Sequence, residues 1–345
     1  MHKLTFLLTA ALFAALNVSA QTSLKKALPL LQKNNRSASE NQRVLDLFRT
    51  AKDPDTVFAA GASLVKTPPA KAQEPALFNL ILRSEDPLKQ TFSAVIVTAM
   101  GSAHEELTPV LEGALQSKDA VLRSYAAGAY GIVNPQNKAY VQEVVHLYIF
   151  DPAFAARSMN LLAEEPKHLL KYLKQAAASS DDQTRAAAAS WLGTLHSEAA
   201  AKQLLKMAKT EQDANTQAQI ATGLAQNRQY TLEAVAKELR RDYTTPSAST
   251  YALALGFMTG NAIDVIRQGL LSTNQNERIN AARAAAYMAG VLSNPDAFNY
   301  TSDRTFDIGL LKSLIPQLNL LAKTGNDSVK VYASNALRQI EKLMI

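Results

Sequence analysis

A histidine beside carboxylates can hold a metal ion, and the chain has one such run, "HEE" at His104, Glu105 and Glu106. A bound zinc needs three or four ligands converging on one point. His146, His168 and His196 stand far from this run and from one another. No metal site and no cofactor are expected. Acyl transfer is the second chemistry to weigh. "SLKK" (23–26) and "SLVK" (63–66) match Ser-x-x-Lys, and "KTG" occupies 323–325, an echo of the serine-lysine acyl-transfer set. Their surroundings oppose it: Ser23 lies beside a leader-cleavage site, Ser63 within an apolar-periodic helix, and Lys323 to Gly325 in a turn. No Gly-x-Ser-x-Gly, Walker or Gly-x-Gly-x-x-Gly run appears. The expectation is a protein that is not an enzyme.

Two other sets of residues suit binding. One is a row of polar positions at fixed places on successive helices: Arg157 and Asn160, Gln219 and Thr222, Asn280 and Arg283. This nearly acid-free strip could hydrogen-bond a partner. The other is aromatic: Phe298, Tyr300 and Phe306 within "LSNPDAFNYTSDRTFDIGLLK" (292–312). Exposed aromatics often dominate the energy of an interface.

The elements that carry these residues begin at the N-terminus. "MHKLTFLLTAALFAALNVSA" has one basic residue, Lys3, an apolar run from Leu4 to Leu16, and "VSA" before Gln21. That order is a secretory signal peptide over 1–20, with cleavage after Ala20. A run of thirteen residues rises about 20 Å as a helix, short of a ~30 Å hydrocarbon core. No membrane span is expected after its removal, and the destination is the periplasm or the medium. The chain has no cysteine, so an exported fold must rest on its core, without disulfides. Its 47% hydrophobic content can supply one. Losing Lys3 lowers the formal charge from +6 to +5. The densest basic run, "KELRRD" (237–242), already contains two acids, which argues against nucleic acid as a partner.

The body of the chain repeats. Asp53, Asp86, Asp119, Asp151, Asp181, Asp213, Thr244, Asn274 and Asn326 each precede a stretch rich in small apolar residues, such as "AVLRSYAAGAYG" (120–131). The steps are 33, 33, 32, 30, 32, 31, 30 and 52 residues, the mark of a repeat architecture. Asp, Asn and Thr are helix N-caps, and Pro54, Pro87 and Pro152 follow directly at the first helical position. Before many anchors runs a second amphipathic helix, as in "AKQLLKMAKT" (201–210). The predicted unit is helix A, a tight turn and a capped helix B. Strand-length alternation is absent, so the fold class is all-α. Alanine and glycine pairs in helix B (Ala126, Ala127, Gly131; Ala188, Ala189, Gly193) let neighbouring helices approach closely.

The Asp before helix B, the apolar-Arg pair at Leu122 and Arg123, the Ala-Ala pair and the Leu/Tyr-Gly near the helix end make the sequence similar to the HEAT-repeat family, in its short PBS-lyase-like form. The resemblance covers about 40–345 and is fullest around Asp119, Asp181 and Asn274. It implies a right-handed α-solenoid of about nine two-helix repeats whose B helices line a concave side. Residues 21–39 precede it as an N-terminal helix or linker, and the long last step places an insertion at about 292–312. A HEAT-repeat iron enzyme, deoxyhypusine hydroxylase, uses several His-Glu pairs from different repeats; the single pair here does not match that pattern. The leading functional reading is an exported, non-enzymatic scaffold that binds a protein or peptide. An accessory subunit of an envelope complex, and a ligand-binding protein or enzyme with a hidden site, stay open beside it.

Overall fold

The computed structural model describes residues 20–163, 166–296 and 302–343. The expected leader, Ala20 apart, lies outside them. Every regular element among the described residues is helical. The chain gathers into two compact units, divided along the sequence between Ala176 and Ala177.

The first unit begins with α1 (Ala20–Leu31) and α2 (Ala38–Thr50) and continues through α3 (Pro54–Lys66), α4 (Glu74–Arg83) and α5 (Pro87–Ala99). It is completed by α6 (Thr108–Leu115), α7 (Ala120–Val133), α8 (Val141–Leu147), α9 (Pro152–Ala163) and α10 (Pro166–Ala176). The segment 21–39 is part of this fold. Leu24 of α1 is buried, and α1 packs on α3. Arg36, in the loop after α1, donates to the carbonyls of Ser63 (2.7 Å) and Thr67 (3.2 Å) at the end of α3. A capping box between Ser37 and Glu40 opens α2.

The second unit runs α11 (Asp182–Thr194), α12 (Glu198–Thr210), α13 (Ala214–Gln226), α14 (Arg228–Glu238) and α15 (Pro246–Met258). Then come α16 (Ile263–Leu271), α17 (Gln275–Ser293), α18 (Arg304–Lys312), α19 (Ile315–Thr324) and α20 (Asp327–Glu341). Within each unit helices pack on their neighbours in chain order. The capped helices form continuous rows, α3–α5–α7–α9 and α11–α13–α15–α17–α20, an arrangement consistent with an α-solenoid.

The anchors do what their chemistry predicts. Asp53, Asp86, Asp119, Asp181, Asp213, Asn274 and Asn326 accept a backbone N–H of the helix they precede, and Asp151 accepts from Phe154 N at 3.1 Å. One anchor moves. Thr245, not Thr244, caps α15, with Pro246 at its first position. Thr244 turns back to Asp242.

A second device at the A–B turn explains the recurring arginine. Arg123 Nη1 donates to Ser117 O (2.6 Å), Arg185 Nη1 to Ser179 O (3.1 Å) and Arg278 Nη1 to Ser272 O (3.1 Å). Gln90 and Gln217 reach Ser84 O (2.8 Å) and Glu211 O (2.9 Å) in the same way. In each case the long donor stands four residues after the cap and reaches six residues back, to a carbonyl that the turn leaves exposed. The serines at 84, 117, 179 and 272 also accept the cap residue's own N–H. The pattern Ser-x-Asp/Asn-x-x-x-Arg/Gln is thus a clamp that sets the angle between helix A and helix B.

Close approach explains the glycines. A methyl on Gly256 of α15 would stand 2.6 Å from Tyr287 Cβ and 3.0 Å from Met288 N, both on α17. One on Gly193 of α11 would stand 2.9 Å from Gly223 Cα on α13.

The insertion is half helix. Asp303 caps α18, α18 packs on α17, and Arg304 Nε donates to Leu292 O at 2.7 Å near the end of α17. Asp307 and Leu311 are buried. This half of the insertion covers the end of α17.

Candidate functional site

The candidates for chemistry are engaged in holding the fold. His104 bonds through Nε2 to Glu74 Oε1 (2.9 Å), while Ser102 Oγ donates to Glu74 Oε2 (2.8 Å). The Ser102 and His104 hydrogen bonds hold the Glu74 carboxyl below the usual carboxylate range. The partner of His104 is therefore Glu74 of α4, not its neighbour Glu105. Among the described residues no three His, Asp or Glu side chains are grouped to hold a metal ion. Ser63 is buried and donates to Leu31 O (2.6 Å), and Lys323 lies in the last turn of α19.

A serine-histidine contact that sequence reading missed lies between α7 and α8. Ser124 Oγ and His146 Nδ1 are 2.8 Å apart. The two residues are 22 apart in sequence and match no motif. Ser124 is wholly buried, His146 is nearly so, and the single hydroxyl proton of Ser124 goes to Ala120 O at 2.8 Å. That leaves its oxygen to accept from His146, the reverse of the polarity a nucleophile needs. Nearby in sequence, Asp151 is 3% exposed. Burial pushes its carboxyl up, against the opposing influence of the Phe154 N–H and Lys66.

The residues expected to bind a partner are scattered. Arg157 and Asn160 of α9 are exposed, but Arg157 Nη1 is engaged at 2.8 Å by Ala99 O, at the end of α5. Gln219 and Thr222 of α13 are half-buried. Gln219 Oε1 accepts from Ser190 Oγ of α11 at 2.7 Å, and Thr222 bonds its own helix. Asn280 is a correction. It is fully buried, and its Nδ2 donates to Leu239 O and Arg241 O, both at 2.9 Å. At the same place on their helices Tyr125, Ala187 and Tyr251 are buried too, whereas Gln219 is half-buried and Arg157 exposed, so it is the neighbours of Asn280 and not its register that cover it. Phe306 is exposed on α18, whereas Phe298 and Tyr300 lie outside the described residues.

The middle capped helices of the first unit, α5 and α7, differ from those of the second in what they leave open. In the first unit Thr91 to Thr98 of α5 and Ser124 to Ile132 of α7 are buried without a break, and α9 reaches back to contact α3. In the second unit each capped helix keeps a half-exposed stripe: Ser190 and Thr194 on α11, Gln219 and Thr222 on α13, Ser249 and Leu253 on α15, Arg283 and Tyr287 on α17. Beyond their first two turns these four helices carry a single charged residue, Arg283. The helices between them are richly charged, as α12 shows with Glu198, Lys202, Lys206 and Lys209. Charge is thus segregated to one set of helices, and the other set presents hydroxyls, amides and aromatic rings.

Where this face passes from α17 to α20, the last capped helix, sits an aromatic cluster. The rings of Tyr243 and Tyr332 meet edge to face at 5.8 Å, and Tyr243 Oη bonds Ser328 Oγ at 3.3 Å. Arg283 lies beside them, its guanidinium 5.7 Å from the Tyr332 ring centre and its Nη1 donating to Tyr243 O at 2.8 Å. On the next turn Tyr287 Oη meets Ser249 Oγ of α15 at 3.2 Å.

No protein-family model matches the chain, and no curated protein sequence matches it either.

Proposed function

We propose that the chain is an exported, non-enzymatic scaffold that binds a protein or peptide segment in the cell envelope. In this reading it is a right-handed α-solenoid of about nine two-helix repeats of the HEAT type, and the binding surface is the open face of α11, α13, α15 and α17. The observation that carries it is the composition of that face: half-exposed hydroxyl, amide and aromatic side chains on helices with one charge beyond their clamps. Such a surface costs less to desolvate than a charged one and is rich in directional donors and acceptors, and aromatics and arginine are the residues interfaces favour. Stacked helical repeats present long surfaces of this kind to partners. No helix among the described residues is long and apolar enough to cross a membrane, in keeping with a protein released by leader cleavage.

Site-directed photo-crosslinking in intact cells tests it. A benzophenone side chain at Gln219 or Tyr287 should give one discrete cross-linked product. The same probe at Lys206 or Glu233, on α12 and α14, should not. Products from the second pair alone, or from neither, would refute binding at this face. The mass of the purified chain should place its N-terminus at Gln21.

A further inference from the structure

Arg283 differs from the arginines of this unit that are paired with acids. Arg185 pairs with Glu211, Arg240 with Glu277, Arg241 with Glu238 and Arg267 with Asp264. Arg283 has no carboxylate among the described residues; its partners are the Tyr243 carbonyl and the Tyr332 ring. Both hold the guanidinium in place without neutralising it. Nε and Nη2 find no acceptor within the described residues, and neither is sealed from solvent. A half-buried cation, pre-oriented and left with free donors, is matched by a planar anion that accepts two parallel hydrogen bonds.

The chemistry of that anion follows from its surroundings. Half-exposed residues lie on both sides of Arg283, with Ser249 of α15 and Tyr287 to one side and Tyr332 of α20, the next capped helix of the row, to the other. A chain lying across the face runs past this point, so what it offers there is a side chain and not its terminus. We infer that Arg283, framed by Tyr243 and Tyr332, is the subsite for an Asp or Glu side chain of an extended peptide bound along this face. The inference rests on the proposed peptide-binding role and adds the charge its partner must carry.

Random peptides displayed with their C-terminus fused, so that no terminal carboxylate is present, are selected on the full chain and on Arg283→Gln. The wild type should enrich Asp or Glu at one position, and Arg283→Gln should not. A selected peptide resynthesised with an amidated C-terminus should bind the wild type about tenfold more weakly when that Glu becomes Gln. The same change should leave its affinity for Arg283→Gln unaltered. On the unmodified protein, affinity for the Glu peptide should fall with added salt more steeply than affinity for its Gln version. Peptides selected without an acidic position, a Glu→Gln effect that persists in Arg283→Gln, or equal salt dependence would overturn the carboxylate subsite and leave peptide binding standing. Failure of the wild type to select any peptide would overturn the binding role and the subsite with it.

Discussion

Replacing one glycine with alanine should shift stability in opposite directions at two places on neighbouring helices, α15 and α17. Alanine is favoured over glycine in a helix interior by about 1 kcal/mol. At Gly290 of α17 the added methyl meets nothing within 4 Å, so Gly290→Ala should stabilise by about 0.5–1 kcal/mol. At Gly256 of α15 the same methyl would stand 2.6 Å from Tyr287 Cβ and 3.0 Å from Met288 N. Both atoms are anchored to the backbone of α17, so no side chain can swing away and the helices must part. Overpacking of this kind costs about 1–3 kcal/mol. The propensity gain is common to both variants and cancels in their difference, so Gly256→Ala should lie about 1–3 kcal/mol below Gly290→Ala. Urea unfolding followed by far-UV circular dichroism reads this as a separation of midpoints at unchanged slope. If Gly256→Ala proves as stabilising as Gly290→Ala, the close packing of α15 on α17 is wrong.

The turn clamp predicts that Arg123→Gln leaves the melting temperature nearly unchanged, because Gln90 and Gln217 make the same reach, whereas Arg123→Ala should cost about 1 kcal/mol. Asp119→Ala removes the cap of α7 and should cost about 0.5–2 kcal/mol in the same assay. Burial raises the Asp151 carboxyl, so its folded form holds the proton more tightly and it contributes a loss of stability as pH rises from the ordinary value of 3.8 through the raised one. Asp151→Asn keeps a capping oxygen, so it should unfold at higher urea than the parent at neutral pH and lose that advantage in acid; a lower midpoint at neutral pH would refute this. Burial works to raise Glu211, but the Arg185 and Asp213 hydrogen bonds outweigh it and the group is held low. Its stabilisation is therefore present above the ordinary 4.5 and lost as pH falls. Arg185→Ala should cost about 2–3 kcal/mol at neutral pH and flatten that acid loss.

What was legible in the sequence was local. A cap and its helix are neighbours in the chain, so Asp119 announces α7 without reference to anything distant, and the same holds for the other acidic anchors. Thr244 and Thr245 offer the same side chain, and the choice between them turns on Pro246, which takes the first helical position. The expected strip failed at Asn280 because helical periodicity locates a face but not what covers it. Gln219 and Arg157 hold the same register and stay half-buried or exposed, but over Asn280 the chain from Leu239 to Arg241 closes and takes both of its N–H groups. The aromatic cluster was out of reach for a different reason. Tyr243 and Ser328 are 85 residues apart, and only the stacking of α17 and α20 brings them together.

The difference between the two units was also written in the sequence, though not in the repeat signature. Caps, clamps and small residues set how one helix stacks on the next, and they recur in both units. Whether the capped helix keeps an open face depends on its other positions. From Thr91 to Thr98 α5 reads "TFSAVIVT", apolar on every side apart from small hydroxyls, and a helix apolar all round must be covered all round. In the fold it is, and the last exposed carbonyl at its end, Ala99 O, takes Arg157 from α9. From Gln217 to Gln226 α13 reads "QAQIATGLAQ", where the polar residues return at a spacing that keeps one side wet. Thr222 donates to Ala218 O and could be buried as Thr98 is, but burying Gln219 would strand the N–H groups of its amide, of which only the oxygen is engaged, by Ser190. In the first unit α5 and α7 therefore consume this face in folding, while α9, at the end of the row, keeps Arg157, Asn160 and Leu161 exposed. The second unit retains that face, and the one cation set into it is the feature the proposed partner must answer.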